Sequence, residues 1–375
     1  MEQQIAAPAR ALTRQVMVGT VPLGGGAPVV VQSMTSVPMT DEGAPGHPHL
    51  DVEGNLAQIA RLADAGCEVV RVAVPNLDSV EPFGELVAQS PLPVVADVHF
   101  DHRIAIGAAR YGAAKLRINP GNIGSWEKVD QVIEAAGEQG IPIRIGVNAG
   151  SLDPEVRERT ELSLPQKLAA SCLAFVEHFN QRGFSDIVLS AKAHDVMTTV
   201  EAYRLLSREL PEVPLHIGVT EAGTVLQGTV KSAAGLGILL AEGIGDTLRI
   251  SLTADPVEEI RVAWMLLGAM GLRRTAPELV SCPTCSRCQV DLIPIATEVE
   301  RRLRHVRLPL QVAVMGCAVN GPGEARDADL GVACGKDEGL LFAQGEPLRK
   351  VPADQIVDAL FEQIQQLERS HGAEE

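Results

Sequence analysis

Aromatic side chains and positive charge are scarce in this sequence of 375 residues. Phe, Trp and Tyr make up only 3%, and 48 acidic residues outnumber 32 basic ones, for a formal charge of -16. Proteins that bind nucleic acid through its phosphates need a broad basic face, which argues against that class. If this chain binds an anion, it must concentrate its few cations at one place.

Long apolar runs are absent as well. No run of about 18 apolar residues occurs, and no N-terminal segment combines a basic flank, an apolar block and a small-residue cleavage site. We therefore expect a cytoplasmic protein that does not bind a membrane. The seven cysteines are an odd number in a long chain, which favours thiols or a metal site over a disulfide scaffold.

Eight short, β-branched runs alternate with helical patterns between residue 28 and about residue 270. Such alternation predicts parallel strands with right-handed crossovers, and eight units predict a closed (β/α)8 barrel of the TIM type. An open doubly wound sheet is the alternative, but it usually has a Gly-rich loop after its first strand. Here Gly24-Gly25-Gly26 precedes the first run, so we expect it in a hairpin that caps the barrel floor. The predicted strands are Pro28–Met34, Cys67–Val74, Pro93–Phe100, Ala114–Pro120, Ile141–Val147, Asp186–Ala193, Pro214–Glu221 and Asp246–Leu252.

The pattern changes after Gly271. Residues 291–306 and 353–369 have helical patterns, residues 310–316 and 330–334 are strand-like, and Gly345-Glu346 sits in a predicted hairpin. We therefore expect residues 1–272 to form the barrel and residues 273–375 to form a small α+β domain.

Cations interrupt five of the eight predicted strands. Side chains alternate between two faces along a strand, so Arg249 points away from its apolar neighbours Leu248 and Ile250. Because such neighbours should face the helices, the cations are expected to point into the barrel, where an unpaired charge is costly. For a single position, an ion pair or a side chain that snorkels to the rim is the simpler explanation. The cations are Arg71, Lys115, Arg117, Arg144, Lys192 and Arg249.

For the whole set, a multiply charged anion at the barrel mouth explains the pattern better. Guanidinium groups suit phosphate oxygens, and barrel enzymes bind ligands at the carboxyl ends of their strands. The number of cations fits a diphosphate. The polar candidates on the same faces or strands are Asp97, His99, Asn119, Asn148, Ser190 and Ser251.

Glu221 ends the seventh predicted strand. Barrel enzymes place proton-transfer groups at this position, and a carboxylate among cations can move protons if it is desolvated. The alternative is a structural ion pair with Arg249 or Lys192.

A second constellation lies beyond the barrel pattern. Cys282 and Cys285 form a CxxC turn, Cys317 follows a distant strand, and Glu324 comes seven residues later. Three thiols so arranged can hold an iron–sulfur cluster or a structural zinc. A carboxylate ligand on iron is displaced by a substrate oxygen more easily than a thiolate, so this set indicates chemistry at the metal.

Other ligand sets remain open on the residues alone. Cys288 extends the motif to CxxCxxC, and if it is a ligand, Cys317 or Glu324 is spare. A zinc site is the alternative for the whole cluster. The spacing CxxxCxxC of radical S-adenosylmethionine enzymes does not occur. Cys67, Cys172 and Cys334 are interpreted as core thiols.

Taken together, the motifs resemble the bacterial two-domain family of 4-hydroxy-3-methylbut-2-enyl diphosphate synthases, from the methylerythritol phosphate route to isoprenoids. The matching segments occur in order and extend over nearly the whole chain. They are Val31-Gln32-Ser33-Met34-Thr35, Ala96-Asp97-Val98-His99-Phe100, residues 116–124, residues 144–151, Thr220-Glu221-Ala222-Gly223, residues 242–249, residues 281–287, and Gly316-Cys317 through Gly323-Glu324.

The resemblance implies an oxidoreductase that reductively opens 2-C-methyl-D-erythritol 2,4-cyclodiphosphate with a 4Fe–4S cluster and electrons from ferredoxin or flavodoxin. It implies that Glu221 acts near the reacting carbons and that Cys288, which the family does not require, is a free thiol near the cluster. The implied cluster ligands are Cys282, Cys285, Cys317 and Glu324. The implied substrate contacts are Arg71, Arg117, Arg144, Asn148, Lys192, Arg249 and Ser251.

A homodimer with a shared active site is also expected. The last barrel helix, about 15 residues at 1.5 Å each, returns the chain toward the barrel floor, so the cluster domain starts far from its own barrel mouth. A two-fold partner solves this, and the family resemblance implies such a dimer. Two other classes stay in view, namely a zinc-stabilised phosphate-binding barrel and a barrel transferase of the pterin-binding kind.

Overall fold

The computed structural model describes residues 9–40, 49–150, 152–306, 308–317 and 325–371. The chain forms two compact units that divide between Arg273 and Arg274. Within the described ranges, no helix combines the length and the apolar character needed to cross a bilayer.

The first unit contains an eight-stranded parallel barrel, as the alternating pattern predicted. Its strands are β3 (Val30–Met34), β4 (Val69–Ala73), β5 (Val94–Asp97), β6 (Lys115–Ile118), β7 (Ile143–Asn148), β8 (Ile187–Lys192), β9 (His216–Ile217) and β10 (Thr247–Leu248). They are hydrogen-bonded in the order β8-β7-β6-β5-β4-β3-β10-β9. The barrel closes between β8 and β9, where Leu189 bridges Leu215 and the N–H of Leu189 donates to the carbonyl of Pro214 at 2.9 Å.

Helices surround the barrel and cover the outer faces of its strands. They are α1 (Val52–Asp64), α2 (Val80–Gln89), α3 (His102–Arg110), α4 (Pro120–Ile123), α5 (Trp126–Gln139), α6 (Pro154–Glu158), α7 (Leu164–Gln181), α8 (Val196–Glu209), α9 (Val225–Ala241) and α10 (Pro256–Ala269). Aspartate N-caps begin several of them: the carboxylate of Asp51 accepts from the N–H of Gly54 at α1, and that of Asp195 accepts from Thr198 at α8. Such caps satisfy helix N–H groups that have no partner within the helix.

An antiparallel hairpin closes the barrel floor. Its strands β1 (Val16–Val18) and β2 (Val21–Leu23) pack with the inward side chains of four barrel strands, namely Val30, Val69, Val95 and Val188. The predicted hairpin is therefore present. Its turn, however, lies at Gly19-Thr20, and Gly24-Gly25-Gly26 follows β2.

Strands β9 and β10 have two residues each, so the predicted strands Pro214–Glu221 and Asp246–Leu252 were too long. The chain beyond them stays near the barrel, since the N–H of Thr220 donates to Ala193 and that of Arg249 donates to Ile217. Alternation of polar and apolar residues continues through these segments because extended loops have the same side-chain period as strands.

Among its described residues, the second unit forms a five-stranded mixed sheet with two α-helices. Its strands are β11 (Glu278–Ser281), β12 (Gln311–Met315), β13 (Leu330–Cys334), β14 (Glu338–Ala343) and β15 (Glu346–Pro352), and its helices are α11 (Leu292–Leu303) and α12 (Ile356–His371). Strands β11, β12 and β13 are parallel, and β13, β14 and β15 are antiparallel. Strand β11 was not predicted from the sequence.

Candidate functional site

Side-chain parity separates two layers in the barrel, as the sequence predicted. Val70, Val72 and Ile145 belong to the large apolar core under the helices. Val69 and Val95 face inward and belong to the separate floor cluster. Above that floor, most inward positions of the strands are polar or charged.

The predicted cations lie in this interior. Arg117 is 5% exposed, Arg144 1% and Lys192 8%, while the side chain of Arg71 is 11% exposed. Arg117 and Arg144 are in register on β6 and β7, and Lys192 is in register with Asn148 across β7 and β8. Adjacent strands therefore present neighbouring cations to a common space, and repulsion between them favours a bound anion.

Two glycines make room for these side chains. A Cβ at Gly146 would lie 2.8 Å from Nε of Arg117, and one at Gly218 would lie 2.7 Å from Nζ of Lys192. Gly146 on β7 and Gly218, directly after β9, both have the parity of the inward-facing residues. Sequence reasoning missed them, although an inward glycine between cation-bearing strands is a usable signal for close approach.

Asp97 is the carboxylate at the centre of the cation set. Its oxygens lie 3.1 Å from Nη1 of Arg117, 3.6 Å from Nε of Arg71 and 3.5 Å from Nε2 of His99. Burial alone raises the pKa of Asp97, but the charge of Arg71, the hydrogen bond with His99 and the charge of Arg117 outweigh it and lower the pKa. Asp97 therefore stays ionised and holds two guanidinium groups in place.

Burial also acts on the cations. It lowers the pKa of Lys192 well below its usual value, and the charges of Arg144 and Arg71 lower it further. Burial also lowers the pKa of Arg71, to about 10, although the negative charge of Asp97 acts to raise it. A bound polyanion would reverse both effects, because an opposite charge favours the protonated form.

Arg249 has a partner that the sequence analysis missed. Its Nη2 lies 3.2 Å from Oε1 of Glu259 on α10, which also accepts from the N–H of Leu252 at 3.0 Å. The other oxygen of Glu259 accepts from the hydroxyl of Ser33 at 3.1 Å. The charge of Arg249 is therefore compensated by Glu259 and does not need an ion pair with Glu221, the alternative that the sequence left open. Parity on the strands could not find Glu259, because it lies on a helix.

Glu221 lies in the loop after β9 and is exposed. Its φ of 52° places a side chain other than glycine in the left-handed region. Such backbone strain costs free energy and concentrates at functional sites. The sequence gives no sign of this conformation.

The remaining predicted contacts lie around the same end of the barrel. Asn148 ends β7 and Ser251 follows β10, both half-buried, and His99 follows β5 with its side chain 46% exposed. Asn119 is buried and follows β6, where its Oδ1 accepts from the N–H of Gly121 at 3.1 Å and caps α4. Asn119 therefore has a local structural contact that was not anticipated.

The thiol site lies at the carboxyl ends of β11 and β12. Because these parallel strands pair Ser281 with Val314, the residues that follow them, Cys282 and Cys317, leave the sheet at the same edge. The N–H of Gly316 donates to Sγ of Cys282 at 3.2 Å. The unpredicted strand β11 is therefore the element that brings two distant thiols to one place.

Gly316 provides space for sulfur. A Cβ at this position would lie 2.6 Å from Sγ of Cys288 and 3.5 Å from Sγ of Cys282. Cys285 is exposed, and hydrogen bonds from the backbone and side chain of Arg287 lower its pKa. A low thiol pKa favours the thiolate form that binds metals. The described thiols thus have the chemistry of soft-metal ligands, and the sulfurs of Cys282 and Cys288 both lie close to Gly316.

Among the described residues, no three Cys, His, Asp or Glu side chains form a group that could hold a metal ion. The predicted ligands therefore do not all come together in this part of the chain. Glu324, the predicted fourth ligand and catalytic carboxylate, lies outside those residues. Cys288 donates its S–H to the carbonyl of Val290 at 3.2 Å.

The three predicted core thiols are buried, which confirms that interpretation. Cys67 and Cys172 belong to the barrel core, and Cys334 to the core of the second unit. Burial raises the pKa of each to about 12. Thiols in such surroundings are unreactive at neutral pH.

Comparison with known proteins matches both units to one family. Residues 13–264 match the profile described as GcpE TIM-barrel domain, and residues 278–366 match that described as GcpE protein C-terminal domain. Three relatives each carry the name 4-hydroxy-3-methylbut-2-en-1-yl diphosphate synthase (flavodoxin). The Geobacter sulfurreducens protein is 51% identical (96% of this chain, 98% of the relative), the Salinispora arenicola protein 50% (97% and 91%), and the Bacillus velezensis protein 49% (97% and 94%).

Proposed function

The chain belongs to the GcpE family, and from this premise we propose that it converts 2-C-methyl-D-erythritol 2,4-cyclodiphosphate into 4-hydroxy-3-methylbut-2-enyl diphosphate. The reaction breaks a carbon–oxygen bond to phosphate and expels a hydroxyl group as water. It consumes two electrons and two protons. The observation that carries the proposal is the joint presence of buried barrel cations and a thiol site that suits a redox metal.

The barrel interior is the proposed binding site for the diphosphate. Guanidinium groups donate paired hydrogen bonds to phosphate oxygens, and a desolvated ammonium adds a point charge. Asp97 holds Arg71 and Arg117 in place, and Glu259 holds Arg249, so much of the site is organised before the ligand arrives. The proposed contacts are Arg71, Asp97, His99, Arg117, Asn119, Arg144, Asn148, Lys192, Arg249 and Ser251.

Glu221 is the proposed proton donor for loss of the hydroxyl group. A carboxylic acid that protonates the leaving oxygen must lie near the substrate, and therefore near the cations that bind it. It must not form a salt bridge with one of those cations, because such a pair would keep it ionised. Within the described residues Glu221 forms no salt bridge, and its left-handed backbone conformation sets the direction in which the side chain leaves the chain. These two features support the assignment.

Cys282, Cys285, Cys317 and Glu324 are the proposed ligands of a 4Fe–4S cluster. When bound, such a cluster supplies single electrons and a Lewis-acidic iron. The N–H of Gly316 adds a hydrogen bond to Cys282, which is a known means of tuning cluster potential. A carboxylate as fourth ligand leaves one iron easier for a substrate oxygen to approach than a fourth thiolate would.

Flavodoxin is the proposed electron donor, since the relatives' names include it, and ferredoxin is the alternative. We assign substrate binding to residues 1–272 and the cluster to residues 273–375. The proposed assembly is a homodimer in which the active site is shared between protomers. Helix α9 supports a dimer, because Leu226 and Val230 are 79% and 61% exposed on it and exposed apolar side chains favour protein contacts.

Anaerobic purification tests the function as a whole. We expect about four iron and four sulfide per chain, little zinc, and conversion of the cyclic diphosphate with reduced flavodoxin or a chemical reductant. Stoichiometric zinc with no reductive turnover would instead support a zinc-stabilised barrel that binds a phosphorylated ligand. Turnover that needs no reductant would support the transferase class.

A further inference from the structure

Four polar side chains lie in the barrel interior and have no role in the proposed reaction or only a partial one. Lys115, at the start of β6, is fully buried, and its Nζ has no hydrogen-bond partner among the described residues. The same is true of both amide atoms of Gln32, of Nε2 of His216, and of Nε and Nη1 of Arg144. Each unpaired buried polar atom costs free energy, and a charged one costs more.

Register places Lys115 below the cations of the mouth. Lys115 is paired with Val95, which belongs to the apolar floor, and Arg117 lies two residues nearer the mouth. On the other side of the barrel, His216 is in register with Thr247, and Thr247 with Val30 of the floor. Lys115 and His216 therefore lie just above the closed floor, which blocks hydration from below.

Charge in this region is uncompensated by the described residues. Burial lowers the pKa of Lys115 well below its usual value, and the charges of Arg144 and Arg71 lower it further. Within the described residues Lys115 forms no ion pair with a carboxylate, and Asp97 lies against Arg71, Arg117 and His99. Burial likewise lowers the pKa of His216 well below its usual value, and the charges of Arg144, Lys192 and Lys115 lower it further.

We propose that Lys115, Arg144, His216 and Gln32 form a binding site for a small monovalent inorganic anion of the halide class, beneath the diphosphate site. An anion there accepts hydrogen bonds from the ammonium, the guanidinium and the amide, and it supplies the counter-charge that the protein lacks. Side chains fill most of the interior of an eight-stranded barrel, and the space left at this depth, below the diphosphate, suits a single-atom ion better than a phosphate.

A halide titration of the full-length, cluster-loaded protein tests this site. With bromide replacing gluconate at constant ionic strength, the unfolding midpoint should rise saturably, by about 5 °C at a hundredfold excess over Kd. Lys115→Met should abolish the bromide response, and Gln32→Leu, which retains every cation, should weaken it. Lys128→Met, an exposed lysine on α5, is the matched control and should respond like the wild type.

Crystals grown in bromide give a second readout that does not depend on a variant folding. An anomalous peak within hydrogen-bond distance of Nζ of Lys115 is expected in the wild-type protein. An unfolding midpoint that does not change with bromide concentration would overturn the proposed halide site. So would electron density that fits only water at this position. Neither measurement uses the cyclic diphosphate or turnover, so their failure would leave the proposed function intact, and failure of that function would leave the anion site intact.

Discussion

The stability that Asp97 gives to the folded protein, through its contacts with the buried cations, depends on pH. The folded-state pKa of Asp97 is lowered, so its contribution to stability is complete above the unfolded value of about 3.9 and is lost as the pH falls below it. Asp97→Asn should lower the free energy of unfolding at pH 7 by about 3 kcal/mol, because it leaves buried guanidinium groups without a counter-charge. Urea unfolding of the wild type and the variant measures this difference.

The pH dependence of that difference is the sharper test. The gap between wild type and Asp97→Asn should narrow at pH 3, where the wild-type carboxylate begins to lose its advantage. Asp64→Asn, which changes an exposed carboxylate at the end of α1, is the control and should show no such gap. An equal gap at pH 7 and pH 3 would mean that the charge of Asp97 is not what stabilises the barrel.

The proposed role of Glu221 as a proton donor can be tested with a variant that keeps the shape of the side chain but has no acidic proton. Glu221→Gln should reduce turnover by a factor of about 10² to 10⁴, the usual range for loss of an acid or base. Affinity for the cyclic diphosphate should be unchanged, because the cations remain. Glu209→Gln, at the exposed end of α8, is the control. Unchanged turnover in Glu221→Gln would rule out the assigned role.

At the scale of elements, glycines on or next to the strands set the shape of the proposed diphosphate site. Gly146→Ala on β7 should weaken binding of the cyclic diphosphate about tenfold or more, since the new Cβ displaces the guanidinium of Arg117 and misplaced contacts are lost. Calorimetric titration of the wild type and the variant measures the change in Kd.

A glycine on a helix supplies the matched control. A Cβ at Gly137, on α5, meets no atom within 4 Å. Gly137→Ala should therefore leave diphosphate affinity unchanged and raise the free energy of unfolding by about 0.5–1 kcal/mol, because alanine is the better helix former. If Gly146→Ala bound as well as Gly137→Ala, the close approach to Arg117 would not matter for binding.

For the whole molecule, the proposed sharing of the active site between protomers predicts complementation. Cys282→Ser and Glu221→Gln should each be inactive as homodimers. After unfolding and remixing, or co-expression, half of the dimers are mixed and each contains one intact barrel-and-cluster combination, so about a quarter of wild-type activity should return. Cys282→Ser mixed with Cys285→Ser is the control, because both changes affect the same unit and no intact combination can form.

The proposed dimer is assigned to a different surface, on helix α9. Leu226→Asp on α9 should lower the molar mass measured by light scattering from that of a dimer to that of a monomer, since a charge in an apolar interface is strongly unfavourable. Leu12→Asp, at a residue that is 80% exposed, is the control and should leave the mass unchanged. A dimer that survives Leu226→Asp would place the interface elsewhere.

The sequence alone determined the barrel, because eight strand–helix units admit few parallel topologies. It also determined which side chains face inward, since parity along a strand is a local property. Lys115, Arg117, Arg144 and Lys192 were all assigned to the interior on this basis, and the structure confirms their burial.

Only the tertiary structure decided which groups meet. Glu259 reaches Arg249 from a helix, β11 brings Cys282 beside the strand that leads to Cys317, and Lys115 lies without a counter-charge above the floor. These relations join residues far apart in the chain through strand register and helix packing. The local sequence pattern holds no information about the distances between such residues. It could therefore identify residues of the site but not the contacts between them.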